Sequence, residues 1–170
     1  MKSIKLFGYG SLLNKKSLLH TCPSARNIEP VILRGFIRIF NAKCTRKCPN
    51  SNKYVAALNI EKDEINNLIN GILFEIDETD FQALQNREEG YELISVLVEG
   101  FNSKFQTRAF TFRFPHYEAD YIYLENNKVQ EDYANLCIEG SKEFGDDFMD
   151  LFLETTLISK EVKLKEIFLN

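Results

Sequence analysis

The order in which periodic patterns follow one another along the chain is the strongest constraint on its fold. From Ser3 to Phe114, short apolar runs rich in β-branched and aromatic residues alternate with turn signals. A sustained helical period begins only at Glu131. Strands that come first and helices that gather late are typical of α+β proteins. We therefore expect an α+β fold, a small mixed, mostly antiparallel β-barrel with flanking helices, in one domain over residues 1–170.

The same patterns place the individual elements. The predicted strands are 3–8, 31–40 as one long strand with a break at Gly35, 54–60, 70–76, 91–99 and 106–114, and residues 41–53 are predicted as a polar loop. The predicted helices are 15–21, a segment capped by Asp77 or Thr79 and stopped at Gly90, residues 131–152 divided at Gly145, and a tail helix within 160–170.

Composition excludes several classes of function. Apolar residues make up 44% of the 170 residues, and 14 Phe with no Trp predict a Phe-rich core. A formal charge of −4 provides neither a basic field for nucleic acid nor a polybasic membrane patch. No apolar stretch approaches the roughly 18–20 residues that span a bilayer, and the N-terminus lacks the pattern of a signal peptide. We expect a cytoplasmic protein that binds neither nucleic acid nor membrane.

The four cysteines do not form a recognisable metal motif. Cys44 and Cys48 are four residues apart in a basic segment, and Cys22 and Cys137 are distant from both. A half metal site or a redox pair is one interpretation, but no second ligand pair follows, and free thiols on a loop are favoured. Neighbouring Lys and Arg side chains could lower a thiol pKa, which leaves a reactive surface thiol open. We predict no metal and no cofactor.

The first candidate site follows the first strand. In the run Phe7-Gly8-Tyr9-Gly10-Ser11-Leu12, two glycines let the backbone turn sharply and let a ligand approach the main chain closely. Main-chain N–H groups in such a turn can converge on an anion or a polarised oxygen. An ordinary β-turn is the alternative. The spacing is that of neither a dinucleotide-binding fingerprint nor a Walker loop.

The second candidate is a pair of adjacent carboxylates, Glu88 and Glu89, at the end of the central helix. Adjacent helical residues point about 100° apart, so only one of the two can face the core. Glu88 lies four residues after Leu84 and shares its apolar face, whereas Glu89 turns outward. A carboxyl group drawn into an apolar cleft has a raised pKa and can move a proton near neutral pH. A solvated acidic helix end is the alternative.

The third candidate is Tyr133, near the start of the late helix. Its hydroxyl could reach a ligand, although an aromatic ring that only anchors the helix is the more ordinary interpretation.

Other reaction types have little support in the sequence, because Ser11 has no evident His and Asp partners and no motif supports a two-carboxylate glycosidase.

In this order, the features resemble the gamma-glutamylcyclotransferase-like family, in its bacterial-type form. The resemblance extends from Phe7 to about residue 155 and is carried by five short motifs. They are the loop Phe7–Leu12, the segment Gly35–Phe40, the strand Asn70–Ile76, the spacing Leu84-x-x-Arg87-Glu88-x-x-Tyr91, and the helix segment Tyr133–Gly140.

The resemblance implies an acyl-transfer cyclisation without a cofactor: a γ-glutamyl compound closes to 5-oxoproline and releases an amine or amino acid. It implies Glu88 as general acid/base, main-chain N–H groups of Gly10, Ser11 and Leu12 as the substrate cradle, and Tyr9 and Tyr133 as pocket walls. The leaving group stays open among glutathione, γ-glutamyl amino acids and γ-glutamylamines, as does the oligomeric state. Segments 41–53 and 115–128 are candidates for reading the leaving group.

Two other functions remain open from the sequence. A non-catalytic module on the same fold would bind a small γ-glutamyl ligand without converting it. A protein-interaction domain would instead require an exposed apolar patch. A retained acid at Glu88 favours the enzyme, because a binder of a ligand that carries a carboxylate gains little from a buried carboxyl group.

Overall fold

A computed structural model describes residues 2–48, 53–115 and 121–168. The strands in these ranges are β1 (Ser3–Gly8), β2 (Arg26–Arg34), β3 (Phe36–Lys47), β4 (Tyr54–Lys62), β5 (Leu68–Asp77), β6 (Glu92–Gly100), β7 (Gln106–Arg113), β8 (Thr156–Ser159) and β9 (Val162–Lys163). The helices are α1 (Lys15–Thr21), α2 (Glu78–Arg87), α3 (Lys128–Lys142), α4 (Asp146–Thr155) and α5 (Leu164–Phe168), with a short 3₁₀ helix at Ser11–Leu13.

Five strands close into a barrel in the order β1-β5-β2-β6-β7. Four of the five pairings are antiparallel, and the barrel closes through a short parallel contact of β1 with β7 at Leu6 and Phe110. The expected α+β fold, a small and mostly antiparallel barrel with flanking helices, is therefore confirmed. Closure matters for the site, because it sets β1 between β5, the strand that precedes α2, and β7.

A second sheet of four strands, in the order β4-β3-β8-β9, carries the main corrections to the predicted elements. The single strand predicted over 31–40 is wrong, because Gly35 has φ +81° and turns the chain from barrel strand β2 into β3 of the other sheet. Strands β8 and β9 were not predicted, since four and two residues are too short to show a period.

The polar loop predicted over 41–53 is also wrong for its first part. Strand β3 continues to Lys47 and pairs with β4 through two register shifts. Alternation explains part of the polar composition, because Ala42 and Cys44 are buried while Lys43 between them is exposed. Residues 49–52 of that predicted loop and 116–120 of the predicted loop 115–128 lie outside the described residues.

The predicted helices lie at the expected positions along the chain, but the predicted capping of α2 by a side chain is not seen. Asp77 is the N-cap of α2, yet its side chain caps no helical N–H and instead pairs with Arg26, 3.0 Å away. Gly145 separates α3 from α4, and its φ of +103° suits a glycine at that break. In the part of the chain that the structure describes, no helix is long and apolar enough to cross a membrane.

Phenylalanine contributes large side chains to the core, as the composition predicts, but not all of its residues are inside. The buried ones are Phe7, Phe40, Phe74, Phe148 and Phe152. On β7 the small residues are the buried ones: Ala109 and Thr111 face inward, and Phe110 is 42% exposed. The aromatic residues on the outer side of β7 are thus not part of the barrel core.

Candidate active site

The first candidate loop forms where β1 ends at Gly8 and the chain turns into the 3₁₀ helix. The helix closes through two hydrogen bonds, from the Leu13 N–H to the Gly10 carbonyl (3.0 Å) and from the Asn14 N–H to the Ser11 carbonyl (3.1 Å). The first N–H groups of any helix have no partner within the helix. Within the described ranges, neither the Ser11 nor the Leu12 N–H has a hydrogen-bond acceptor, so both remain available to a ligand.

Glu88 lies at the C-terminal end of α2. Its N–H still bonds to the Leu84 carbonyl at 2.9 Å, and its own carbonyl accepts the Tyr91 N–H at 2.9 Å. Gly90, with φ +90°, turns the chain from the helix into β6. This local structure leaves the Glu88 side chain half-buried, one turn after the buried Leu84.

A cavity of about 350 Å³ brings these two segments together. The sequence-predicted site residues all line it: Tyr9, Gly10, Ser11, Leu12, Glu88 and Tyr133. Glu89 also borders the cavity, but its side chain is exposed whereas that of Glu88 is half-buried. The carboxyl group of Glu88 and the main-chain turn therefore share one opening.

Burial changes the acidity of Glu88. Desolvation raises the pKa of its carboxyl group above the ordinary value, and the neighbouring Arg87 guanidinium opposes this only in part. A carboxyl group with a raised pKa is a better proton donor and acceptor near neutral pH than a solvated one. Glu88 thus lies in the cavity, and its pKa is shifted in the direction that suits a general acid/base.

The two predicted pocket tyrosines are held by hydrogen bonds. The Tyr9 hydroxyl donates to the Phe112 carbonyl at 2.6 Å, and the Tyr133 hydroxyl accepts the Leu58 N–H at 3.1 Å. Burial raises the pKa of both phenols well above 10.0, so both stay neutral. The Tyr133 oxygen would lie 3.5 Å from a Cβ atom on Gly10, which puts it directly beside the turn.

Sequence reasoning missed several residues that surround this cavity. Tyr91 lines it, and burial together with the Glu88 charge raises the pKa of its phenol. The spacing of Tyr91 three residues after Glu88 was a signal that could have assigned it to the site. Lys43 also lines the cavity, and its position in the wrongly predicted loop gave no such signal.

The cysteines have a different environment from the one predicted. Cys22, Cys44, Cys48 and Cys137 are all buried, and Cys44 lies on β3 whereas Cys48 follows the end of that strand, so the predicted loop location is wrong for Cys44. Burial raises the pKa of Cys22 to about 11 and that of Cys137 to about 12. A reactive surface thiol has no support among these residues.

A larger cavity, about 710 Å³, lies against the second sheet and is lined by residues such as Ile39, Tyr123 and Ile158. It includes neither Glu88 nor any residue of the Gly8–Leu12 turn. We assign the candidate site to the smaller cavity because a half-buried carboxyl group and available main-chain donors meet there.

Comparison with solved structures finds the same architecture elsewhere. A structure described as a gamma-glutamyl cyclotransferase superposes with a TM-score of 0.72 at 16% identity, over 98% of this chain and 98% of that one. A human protein described as uncharacterized gives a TM-score of 0.72 at 18% identity over the whole of both chains. A yeast gamma-glutamyl cyclotransferase specific to glutathione gives 0.64 at 15% identity, over 91% of this chain and 96% of that one.

No protein-family model matches the sequence, and no curated protein does. At identities of 15–18%, the structural likeness establishes the fold and leaves activity to be argued from the site. The resemblance drawn from the five sequence motifs is confirmed at this level, and the chain has the gamma-glutamylcyclotransferase-like fold.

Proposed function

We propose that this protein is a gamma-glutamylcyclotransferase-type enzyme that converts a small γ-glutamyl compound into 5-oxoproline and releases an amine or amino acid. The observation that carries the proposal is the half-buried carboxyl group of Glu88, with its raised pKa, across one cavity from the Gly8–Leu12 turn. A cyclotransferase needs a proton carrier and an oxygen-binding cradle, and these two features supply them.

The reaction asks little of the protein beyond positioning and proton transfer. The substrate's own α-amine attacks its own γ-carbonyl carbon and closes a five-membered ring, so no enzyme nucleophile is required. A cavity that holds the chain folded can contribute several kcal/mol by bringing the reacting atoms together (roughly 7–11 for the best intramolecular cases). The walls formed by Tyr9 and Tyr133 are fixed by hydrogen bonds and suit this role.

In the first step, the Glu88 carboxylate takes a proton from the substrate α-ammonium and frees the nitrogen lone pair to attack. Negative charge then develops on the former carbonyl oxygen, where the Ser11 and Leu12 N–H groups can donate hydrogen bonds. The same N–H groups could instead hold the glutamyl carboxylate.

In the second step, the C–N bond to the leaving group breaks and Glu88 returns the proton to the departing nitrogen. The attacking nitrogen loses two protons between the α-ammonium and the lactam N–H. Glu88 passes one to the leaving nitrogen as the C–N bond breaks and the second to the released amine, which departs as an ammonium, so the proton balance closes. General acid/base catalysis of this kind contributes about 100- to 10,000-fold. A raised pKa suits a group that must both accept and donate in one cycle.

The test is to incubate the purified protein with γ-glutamyl amino acids, a γ-glutamylamine and glutathione, and to measure 5-oxoproline. We expect product from at least one of them, and the preferred compound identifies the leaving group. Binding of these compounds without product would contradict the enzyme and support a binding module on the same fold. If none of these compounds binds and no product forms, this cavity is rejected as a γ-glutamyl site.

A further inference from the structure

Arg38 is a buried cation directly behind the candidate site. It lies on β3, is fully buried, and its guanidinium donates hydrogen bonds in several directions. The acceptors are the Tyr9 carbonyl (3.3 Å), the Asn70 carbonyl (2.6 Å) and side-chain oxygen (2.8 Å), the Phe152 carbonyl (3.4 Å), and the hydroxyls of Thr155 (3.0 Å) and Thr156 (2.7 Å). The guanidinium also stacks over the Phe152 ring, 4.2 Å from its centre.

All of these acceptors are neutral. Across residues 2–48, 53–115 and 121–168, none of the ion pairs includes Arg38. Burial lowers its pKa to about 9, which still leaves the group charged at neutral pH. A buried charge without an opposite charge is costly, and proteins keep one chiefly where it has a partner or a function.

One of the six acceptors belongs to the candidate cradle. The Arg38 Nη1 atom donates to the carbonyl of Tyr9, and the next main-chain N–H, that of Gly10, belongs to the same peptide unit. In a trans peptide the C=O and N–H bonds point in opposite directions. Fixing the carbonyl toward Arg38 therefore directs the Gly10 N–H away from it. Tyr9 and Gly10 line the cavity, whereas Arg38 does not.

This geometry brings the cation close to any anion on the cradle without exposing it. An anion hydrogen-bonded to the Gly10 N–H would lie within about 8 Å of Nη1, by ordinary bond and hydrogen-bond lengths. Across protein interior, a unit charge at that distance changes the affinity for an anion by about 10- to 30-fold. The cation also polarises the peptide whose N–H would contact the anion.

We propose that Arg38 is a positioning residue of the ligand site: it orients the Tyr9–Gly10 peptide and supplies the positive charge that balances a ligand carboxylate on the turn. The proposal rests on the proposed function in taking the same cavity as the γ-glutamyl site. It requires binding only, so it is testable whether or not the protein catalyses cyclisation.

The experiment is a cycle in which the charge of the protein and that of the ligand are changed separately. Calorimetric titration compares 5-oxoproline, which carries a carboxylate, with its neutral amide, 5-oxoprolinamide, on the wild type and on Arg38→Met and Arg38→Lys. We expect the wild type to prefer the carboxylate. Arg38→Met should weaken 5-oxoproline binding by about 10- to 30-fold and leave the amide within about twofold. Arg38→Lys, which keeps the charge, should retain part of the preference.

Two further variants separate charge from structural support. Thr156→Val removes one contact of Arg38 on the side away from the cradle, so it should lower the melting temperature and keep the preference for carboxylate. Asn70→Asp keeps the guanidinium but places an opposite charge at a position 2.8 Å from it, at the loss of the hydrogen bond to the Phe148 carbonyl. It should reduce the preference, and it serves as the test if Arg38→Met does not fold.

Three results would overturn the proposal. The first is that Arg38→Met loses affinity equally for both ligands. The second is that both Arg38→Met and Asn70→Asp keep the wild-type preference for the carboxylate. The third is that the wild type binds neither ligand or does not distinguish the carboxylate from the amide. The first would leave Arg38 a purely structural residue. The titration measures binding without turnover. If the activity assay shows no 5-oxoproline formation, the titration therefore still tests the role of Arg38.

Discussion

At the scale of single residues, the site depends on two adjacent glutamates having different surroundings. Glu88 is half-buried, one turn after the buried Leu84, and has a raised pKa, whereas Glu89 is exposed. The helical spacing predicted which of the two is less exposed, although Glu88 is the C-cap of α2 and Glu89 lies in the turn that follows it.

We expect Glu88→Gln to stabilise the protein at neutral pH. The folded state raises the pKa of Glu88, so the ionised form is disfavoured by folding. Below the unfolded pKa of about 4.3, Glu88 is protonated in both states and does not reduce the free energy of unfolding. As pH rises through the folded pKa, the carboxyl group ionises and the free energy of unfolding falls. A Gln side chain does not ionise, so the free energy of unfolding of Glu88→Gln does not fall in this way.

Thermal unfolding of the wild type and Glu88→Gln between pH 3.5 and 8 measures this difference. The melting temperature of Glu88→Gln should exceed that of the wild type at pH 7, and the gap should shrink toward the acid end (the range is set by a Glu pKa of about 4.3). Glu89→Gln is the matched control and should show no comparable gap. A wild type that is the more stable of the two at pH 7 would place Glu88 in a stabilising ion pair instead.

Arg38 shows the limit of prediction at this scale. It falls within residues 31–40, for which strand structure was predicted although the division at Gly35 was not, and a charged residue in a strand is ordinarily placed on the solvent side. Its partners come from residues 9, 70 and 152–156, so they are distant in sequence. No local pattern could indicate that they surround it.

At the scale of elements, helix α3 packs directly against the turn of the candidate site. A Cβ atom on Gly140 would lie 2.5 Å from main-chain atoms of Leu13 and Asn14, which is closer than real Cβ atoms approach. The Asn14 side chain also donates to the Leu136 carbonyl at 3.2 Å. Gly140 thus permits the close contact that fixes the cradle against the helix bearing Tyr133.

We expect Gly140→Ala to destabilise the protein although alanine is the better helix former. Helix propensity alone favours alanine by about 1 kcal/mol. The main-chain clash opposes it, and overpacking costs about 1–3 kcal/mol, so the free energy of unfolding should fall by up to about 2 kcal/mol. Denaturant unfolding measures the change.

The control is Asn135→Ala, at an exposed position of the same helix, which should be neutral or slightly stabilising. If Gly140→Ala proved as stable as that control, the helix would not lie close enough to constrain the turn.

The elements themselves were largely predictable, and the exceptions have local causes. Strands β1, β4, β5, β6 and β7 and helices α1 to α4 fall where period and turn residues place them. Gly35 was read as a break within one strand, but a positive φ there sends the next strand to another sheet. Residues 41–47 were predicted as loop because irregularities in the pairing of β3 with β4 obscure the strand period there.

At the scale of the whole molecule, barrel closure creates the site. The turn at residues 8–12 and the acid at position 88 are about half the chain apart in sequence, and they meet because β1 lies between β5 and β7 in the closed order. The strand order could not be predicted from the sequence, since it depends on long-range pairing, whereas the fold class and the two candidate segments could. The structural neighbours have the same fold over nearly their full length.

The most direct test of this account compares 5-oxoproline formation by the wild type, Glu88→Gln and Glu89→Gln on the best γ-glutamyl substrate. Loss of an acid/base contribution predicts that kcat falls by about 100-fold or more in Glu88→Gln. Glu89→Gln should stay within a few-fold of the wild type, and both variants should remain folded. An active Glu88→Gln would contradict the account, and an active Glu88→Gln beside an inactive Glu89→Gln would assign the proton transfer to the exposed neighbour.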